Sequence, residues 1–307
     1  MKKIEVYGLK ICEDINSETD LPKLIVKEAE RQAYGIKEND VIVITSKIVS
    51  KAEGRFYRLS DVHPSRKSYI LSKIFKRDAR EIELILHNSD GIEFIIPIEK
   101  LARKYGKLFR SYVSNEEVAR SLLRKDPYIF MTSVGGMLLT DAGLDFSNSP
   151  SGNCTLPPKD PDESARKIRY SIRELTGKDV AVFITDTEWK LDKFGTVDIA
   201  IGSSGIDPIS RKFGAKDLYG KPKFGGVDNL TDLLSASANL LFCQTDESIP
   251  IAILRGFEYE RREKGIKDVT YLRKVPRRVL RMLILENIKF RLLCILFNLK
   301  PLRREGE

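Results

Sequence analysis

Residues 180–190 read VAVFITDTEWK. Five apolar residues, 180–184, form the continuous run of a strand buried on both faces, and they lead straight into Thr185, Asp186 and Thr187. A carboxylate just past the end of such a strand would be partly desolvated yet within reach of solvent. It would then need a cation or several hydrogen-bond donors beside it. The stretch therefore raises two expectations: a strand of an α/β sheet over 180–184, and a polar site at its end.

The flanking sequence supports the strand. Upstream, LPPKDPDESARKIRYSIRELTGK (156–178) carries helix signals: Asp160 as cap, Pro161 in the first turn, Glu163 at capping-box spacing, and Gly177 as stop. Ala165, Ile168, Ile172 and Leu175 make one stripe on it. Downstream, residues 197–201 of TVDIAIGSSG read as a second strand. A loop with KDLYGKPKFGG, a helix LTDLLSASANLLF (230–242) and a strand PIAILRG (250–256) follow. Nearer the N-terminus, Asp20 and Pro22 open a helix bearing Leu24, Ile25, Ala29 and Ala33, stopped by Gly35. The run 41–45, VIVIT, is a further buried strand leading into SKIVSKAEGR (46–55), and residues 68–86 read as one helical stretch. Residues 131–140 read as one strand-like apolar run crowded with glycines, before a polar loop. Alternating helices and strands predict a mixed α/β, or α+β, domain without internal repeats.

Two segments stand apart. Residues 94–127 contain the amphipathic, charged stretches IEKLARKYGKLF and NEEVARSLLRKDP, read as two helices added to the outside of a core. Residues 261–307 form a basic, helical C-terminal extension to a body of residues 1–260. Its VLRMLILENIKFRLLCILFNLKPLRR is interrupted by Glu286, Asn287, Lys289 and Arg291, a poor membrane span. Packing on the body or in an oligomer interface is the preferred reading, with contact to an anionic lipid surface as the alternative.

Composition excludes several classes. At 307 residues and 42% hydrophobic, the chain can bury a large core, and its 32% of charged residues is mixed in sign. Four scattered cysteines and two histidines support neither a disulfide framework nor a zinc site. The first residues, MKKIEVYGLKICEDI, lack the apolar core of a signal peptide, so a cytoplasmic protein is expected. The formal charge of +9 favours anionic partners, although much of it lies late in the chain. No basic-aromatic RNA-binding motif is present, and no DNA partner is expected.

Two aspartates carry the chemistry. Asp145, in Asp-Phe-Ser-Asn, and Asp186 each follow an apolar run among small polar neighbours. Taken singly, each is more simply a turn cap. Together, with hydroxyl and amide oxygens nearby, they suit hard cations such as Mg²⁺ or Mn²⁺. Ser46, Lys47 and Lys51 stand where a strand passes into a helix, a place where amide groups and lysines can hold phosphate. Neither the Gly-x-x-x-x-Gly-Lys-Ser/Thr loop nor the dinucleotide glycine fingerprint occurs.

SKIVSKAEGR, DAGLDFSN, LPPKDPDESA, FITDTEWK, VDIAIGSSGI, KDLYG and ANLLFCQTDESIPIAILRG together resemble the coenzyme F420-0:γ-glutamyl ligases, in order and spacing, over about residues 8–256. The resemblance implies a two-subdomain fold in an intertwined homodimer. It implies a ligase that uses GTP and two divalent ions, Mg²⁺ or Mn²⁺ with K⁺ as a further candidate. Such an enzyme joins L-glutamate to the carboxylate of F420-0 through an acyl phosphate. By the same resemblance Asp145 and Asp186 hold one metal, Thr187 and Gln244 contribute to a second, and Asn148 contacts the nucleotide. Nucleotide contacts are also implied for Ser46, Lys47 and Lys51; for Leu9, Lys10, Ile11 and Cys12; and for Phe242, Cys243, Gln244, Thr245, Asp246, Glu247, Ser248 and Ile249.

The chain departs from the family pattern on one side of that site. After Thr-Asp-Thr the family usually has an apolar residue and then Gly-Arg, where this chain has Glu188, Trp189 and Lys190. Lys193 stands at a family Arg position, Gly135-Gly136 replaces His-Gly, and Asp141 replaces an Asn, adding negative charge expected to lie beside the metals. These departures keep open a different carboxylate acceptor, or a paralogue that binds nucleotide without catalysis.

Overall fold

The computed structural model describes residues 2–190, 193, 195–242, 246–270 and 276–296. Its first half runs β1 (Glu5–Leu9), α1 (Leu21–Gln32), β2 (Val41–Thr45), α2 (Ser46–Ala52), β3 (Phe56–Arg58), α3 (Arg66–Phe75), α4 (Ala79–His87), β4 (Gly91–Ile96), α5 (Ile98–Lys104), α6 (Gly106–Arg110) and α7 (Glu116–Lys125). The second half runs β5 (Ile129–Val134), β6 (Met137–Thr140), β7 (Asn153–Thr155), α8 (Pro161–Thr176), β8 (Ala181–Trp189), β9 (Thr196–Ser204), α9 (Leu230–Phe242), β10 (Ile251–Arg255) and α10 (Pro276–Leu296). This is the mixed α/β class expected from the sequence.

The main sheet has the order β1-β10-β2-β8-β9, with β2 and β8 parallel and the other pairs antiparallel. Alternation explains why its central strands read as unbroken apolar runs. Ile42, Ile44, Val182 and Ile184 pack with Leu24 and Ile25 of α1 and Ile168 and Ile172 of α8. The intervening Val41, Val43, Ala181 and Phe183 pack with Leu234, Ala238 and Phe242 of α9 on the other face. Helices thus cover both faces, and no position in these runs can be polar without losing core contacts.

A second, three-stranded sheet, β4-β5-β6, packs with α3 and α4 around Ile82, Ile85 and Phe130, and β3 pairs with β7 as a small ribbon. The helix caps read from sequence hold, although Glu163 does not complete the capping box expected of it. The Asp20 side chain accepts from the Lys23 amide, and the Asp160 side chain accepts from the Glu163 amide. Gly177 ends α8 in the left-handed conformation at φ 69°. The Glu163 carboxylate pairs with Arg166.

Four expectations are corrected. Residues 68–86 form two helices, because Lys76 turns left-handed at φ 53° and the Asp78 side chain caps a new start. The run 131–140 is a hairpin, turned by Gly135 and Gly136 at φ 57° and 89°. Residues 94–127 do not form a purely helical addition: Phe94 and Ile95 pair with β5, and the remainder makes three short helices rather than two. Most important, the opening strand does not end at Ile184; β8 runs on to Trp189. Thr185 and Thr187 suit extended backbone, and a register shift lets β9 follow them.

Candidate active site

Asp186 therefore lies inside a strand, not beyond one. Successive residues of β8 face opposite sides of the sheet. Asp186 faces the side of α2, where the Ser46 hydroxyl donates to its Oδ1 at 3.2 Å and the Thr187 amide donates at 3.0 Å. Thr187 faces α9, its hydroxyl donating to Asp198 Oδ1 at 2.7 Å, and Asn239 of α9 donates to the same oxygen at 2.8 Å. The pair that reads as one polar cluster in the sequence thus serves two faces at one end of the sheet.

Asp145 reaches this place from the loop that follows β6. Its backbone forms both hydrogen bonds of an isolated bridge to Thr155, and its Oδ1 accepts from the Ser147 amide at 2.7 Å. Lys47 of α2 lies 2.9 Å from Asp145 Oδ2 and also donates to the Ser147 hydroxyl. Lys51, one turn further on, donates to the Asn148 carbonyl at 3.1 Å. Both lysines thus hold the 145–148 loop against α2, whose N-cap Thr45 makes no side-chain capping bond.

The turn preceding Asp145 is strained. Asp141, Ala142 and Gly143 all have positive φ, at 49°, 58° and 72°. At Gly143 a Cβ would collide with the Pro157 ring and meet Asp186 Oδ2 at 3.0 Å, so only glycine lets this turn close against the carboxylate. Asp141 does not lie open beside the two aspartates as expected. Its Oδ1 accepts from the buried Arg77 at 2.6 Å and from the Phe130 amide at 2.9 Å, so its charge is spent in holding the turn.

A cleft of about 620 Å³ opens over this end of the sheet. Of the residues singled out from sequence, Ile11, Cys12, Ser46, Lys47, Lys51, Asp145, Asn148, Asp186, Thr187, Phe242, Asp246, Ser248 and Ile249 line it. Leu9, Lys10 and Glu247 do not line it: Leu9 is fully buried in the core, and the Lys10 backbone is tied to the Gln32 side chain. Cys243, Gln244 and Thr245 lie outside the described residues. Sequence reasoning missed Thr140, Asp198 and Asn239 as cleft residues, whereas Glu188, read as a departure on one side of the site, does line it. Asp198 was legible as an acid inside an apolar strand; Asn239 sits on an ordinary helix and carried no signal.

Negative charge accumulates in the cleft. Burial pushes the Asp186 carboxyl up to about 8, and the neighbouring charges of Glu188 and Asp145 push in the same direction. Burial also raises Glu188, against the donors of Thr140, and raises Asp198, against Thr187 and Asn239. Glu188 accepts from the Thr140 hydroxyl at 2.6 Å and from its amide at 2.9 Å. Among the described residues no group of three Cys, His, Asp or Glu side chains forms a ready cage for a metal. Asp145 and Asp186 nevertheless fit a divalent ion, because Mg²⁺ commonly takes one or two carboxylates and completes its shell with phosphate and water. A cation would also offset the desolvation and the neighbouring negative charge that raise the Asp186 carboxyl.

Comparison with known proteins identifies a family. The profile of the family described as F420-0:Gamma-glutamyl ligase matches residues 9–256. A Coenzyme F420:L-glutamate ligase of Methanopyrus kandleri is 35% identical over 265 residues, which is 85% of this chain and 91% of that protein. Proteins of the same name from Methanocaldococcus jannaschii and Archaeoglobus fulgidus are 33% and 32% identical, each matched over 83% of this chain and 88% of its own length.

Proposed function

The chain belongs to the F420-0:gamma-glutamyl ligase family, and from that premise we propose that its cleft joins L-glutamate to the carboxylate of F420-0 at the expense of GTP. Carboxylate and amine do not condense unaided in water, so the acceptor carboxylate must first be activated. The γ-phosphoryl group of GTP passes to an acceptor carboxylate oxygen, releasing GDP and leaving an acyl phosphate. The glutamate amine then attacks the acyl carbon, phosphate leaves, and the amine proton passes to solvent.

The chain's own part is positioning and charge balance. Lys47 and Lys51 stand beside the 145–148 loop, where phosphate oxygens can displace their present partners. Asp145 and Asp186 would hold a divalent ion, with Ser46 orienting Asp186. Thr187 and Asp198 would support a second ion on the α9 face. Such ions, when bound, neutralise charge on the transferring phosphoryl group. Asp141 and Gly143 keep the turn closed so that the two aspartates meet.

One observation carries the reading. A carboxylate of strand β8, a carboxylate of the loop after β6 and two lysines from one helix converge in one cleft, and the deeper carboxylate lacks the positive charge its surroundings call for. The test is GTP turnover and incorporation of labelled L-glutamate, with Mn²⁺ or Mg²⁺ and with F420-0. Glutamylated F420-0 supports the proposal; nucleotide binding without turnover on any acceptor overturns it. A second reading is favoured by Glu188, a buried carboxylate in the cleft wall at a position where the resemblance leads one to expect an apolar side chain. It keeps the amide-forming chemistry and changes the acceptor, and turnover with another carboxylic acid but not F420-0 would support it.

A further inference from the structure

Glu188 is 6% exposed and lines the cleft, so its carboxylate has left bulk water for the wall of a substrate-sized space. Thr140, on β6 of the second sheet, fixes it there. The Thr140 amide donates to Oε1 at 2.9 Å and the hydroxyl to Oε2 at 2.6 Å. Those two donors leave part of a carboxylate's acceptor capacity unused. Among the described residues no lysine or arginine pairs with Glu188, and it does not join Asp145 and Asp186 in a group able to hold a metal ion. A desolvated carboxylate held in this way calls for a cation from the cleft side.

Its place along β8 narrows the choice of cation. β2 pairs with β8 only as far as Thr185, and Lys47 and Lys51 follow on α2. Glu188 lies beyond that pairing, on the face of Asp186 and about 7 Å further along the strand. The 141–143 turn, which closes against Asp186, starts directly after Thr140, so both carboxylates belong to one wall. In amide formation the phosphoryl group passes to an acceptor oxygen, and the amine attacks the carbon bonded to that oxygen from about 3–3.5 Å. The amine must therefore stand within a few ångströms of the phosphoryl group that Asp186 helps to hold. Triphosphate and acceptor carboxylate are anions. Only the amino acid brings a positive group, its ammonium.

On the amide-forming reading, on which this rests, we infer that Glu188 binds the ammonium group of L-glutamate and that Thr140 positions it for that contact. A charged donor meeting a charged acceptor in a desolvated wall makes a strong, directional bond. The apolar side chain expected here from the family pattern could not make it, so the contact is this chain's own. It is the same for F420-0 and for another carboxylic acid, because the amine is common to both.

The test compares L-glutamate with glutarate, which lacks only the amino group. For the full chain, KM for L-glutamate and the competitive inhibition constant of glutarate are measured with GTP, Mn²⁺ and the acceptor, then measured again for Glu188→Gln and Glu188→Leu. The parent should favour L-glutamate over glutarate by about tenfold or more, as a charge-assisted bond implies, and in both variants that preference should collapse. KM for L-glutamate should rise about tenfold or more in Glu188→Gln, with KM for GTP unchanged. A preference that survives in a folded variant overturns the inference and leaves the amide-forming reading intact. So does a rise in KM for the acceptor instead of L-glutamate, which would assign Glu188 to the acceptor. Weakening of all substrates alike, with a lowered thermal midpoint, also overturns it and makes Glu188 a tie between β6 and β8. A parent without turnover on any acceptor overturns the amide-forming reading and this inference with it.

Discussion

The carboxyl of Asp186 should make divalent-metal binding depend on pH near neutrality. Half-buried, desolvated by the surrounding protein and set beside Glu188 and Asp145, it is pushed from an ordinary 3.8 up to about 8. For a carboxyl raised in the folded state, the stability associated with its protonation is fully present below about pH 4 and is lost as pH rises through about 8. A metal ion competes with that proton. From a pKa of about 8, only ~3% of Asp186 is ionised at about pH 6.5 and ~75% at about pH 8.5. Apparent Mn²⁺ affinity should therefore rise ~25-fold between those conditions. Titration calorimetry in two buffers of different ionisation enthalpy measures both the affinity and the protons released, with about one released per ion at the lower pH. Glu188→Gln removes the larger of the two neighbouring charges and should move the profile to lower pH. Asp186→Asn should lose the pH dependence together with most of the affinity. An affinity flat across this range, or Asp186→Asn binding as the parent does, would refute the assignment of Asp186 as the deeper metal ligand.

Three further outcomes follow from single contacts. Gly143→Ala forces a Cβ against Pro157 and Asp186 in left-handed backbone; it should cost about 1–3 kcal/mol and weaken Mn²⁺ binding, and a variant with the parent's melting curve would contradict the close approach. Arg77→Met leaves the Asp141 carboxylate without its buried cation and should cost about 3–5 kcal/mol in denaturant unfolding, with much of it recovered by adding Asp141→Asn, which tolerates the same turn. No recovery would mean that the Arg77 charge has another partner that matters more. Lys47→Met should lower GTP affinity about tenfold to a hundredfold, the range of a charge-assisted bond of ~1.5–3 kcal/mol, as read by nucleotide titration; unchanged affinity would place the phosphates elsewhere.

Much of the architecture was legible because it rests on local rules. VIVIT and VAVFI announced strands covered on both faces, and each supplies alternate residues to two separate cores. Asp160, Pro161 and Gly177 bounded α8 as capping chemistry requires. The errors came where two elements shared one apolar run. Gly135-Gly136 turns a hairpin inside what read as a single strand, and Lys76 breaks what read as a single helix, through backbone conformations that hydrophobic pattern does not encode. β8 extended past Ile184 because its partner β9 offered continued pairing, from Thr185 with Ala200 down to Trp189 with Thr196, which the apolar pattern of 180–184 does not record.

For the site, the residue types were visible but their geometry was not. The sequence by itself determined that Asp145 and Asp186 each follow apolar runs, that Lys47 and Lys51 follow a buried strand, and that these motifs come in one family's order. Only the tertiary structure decided that Asp145, fixed by Thr155 and the 141–143 turn, stands against a strand-interior Asp186. It likewise decided that Thr187 turns to the opposite face with Asp198, and that Asp141 is held by Arg77 instead of facing the cleft. The physical reason is that strand alternation and capping act between near neighbours. The field at a carboxylate is set instead by whatever the folded chain brings within a few ångströms, wherever it lies in sequence.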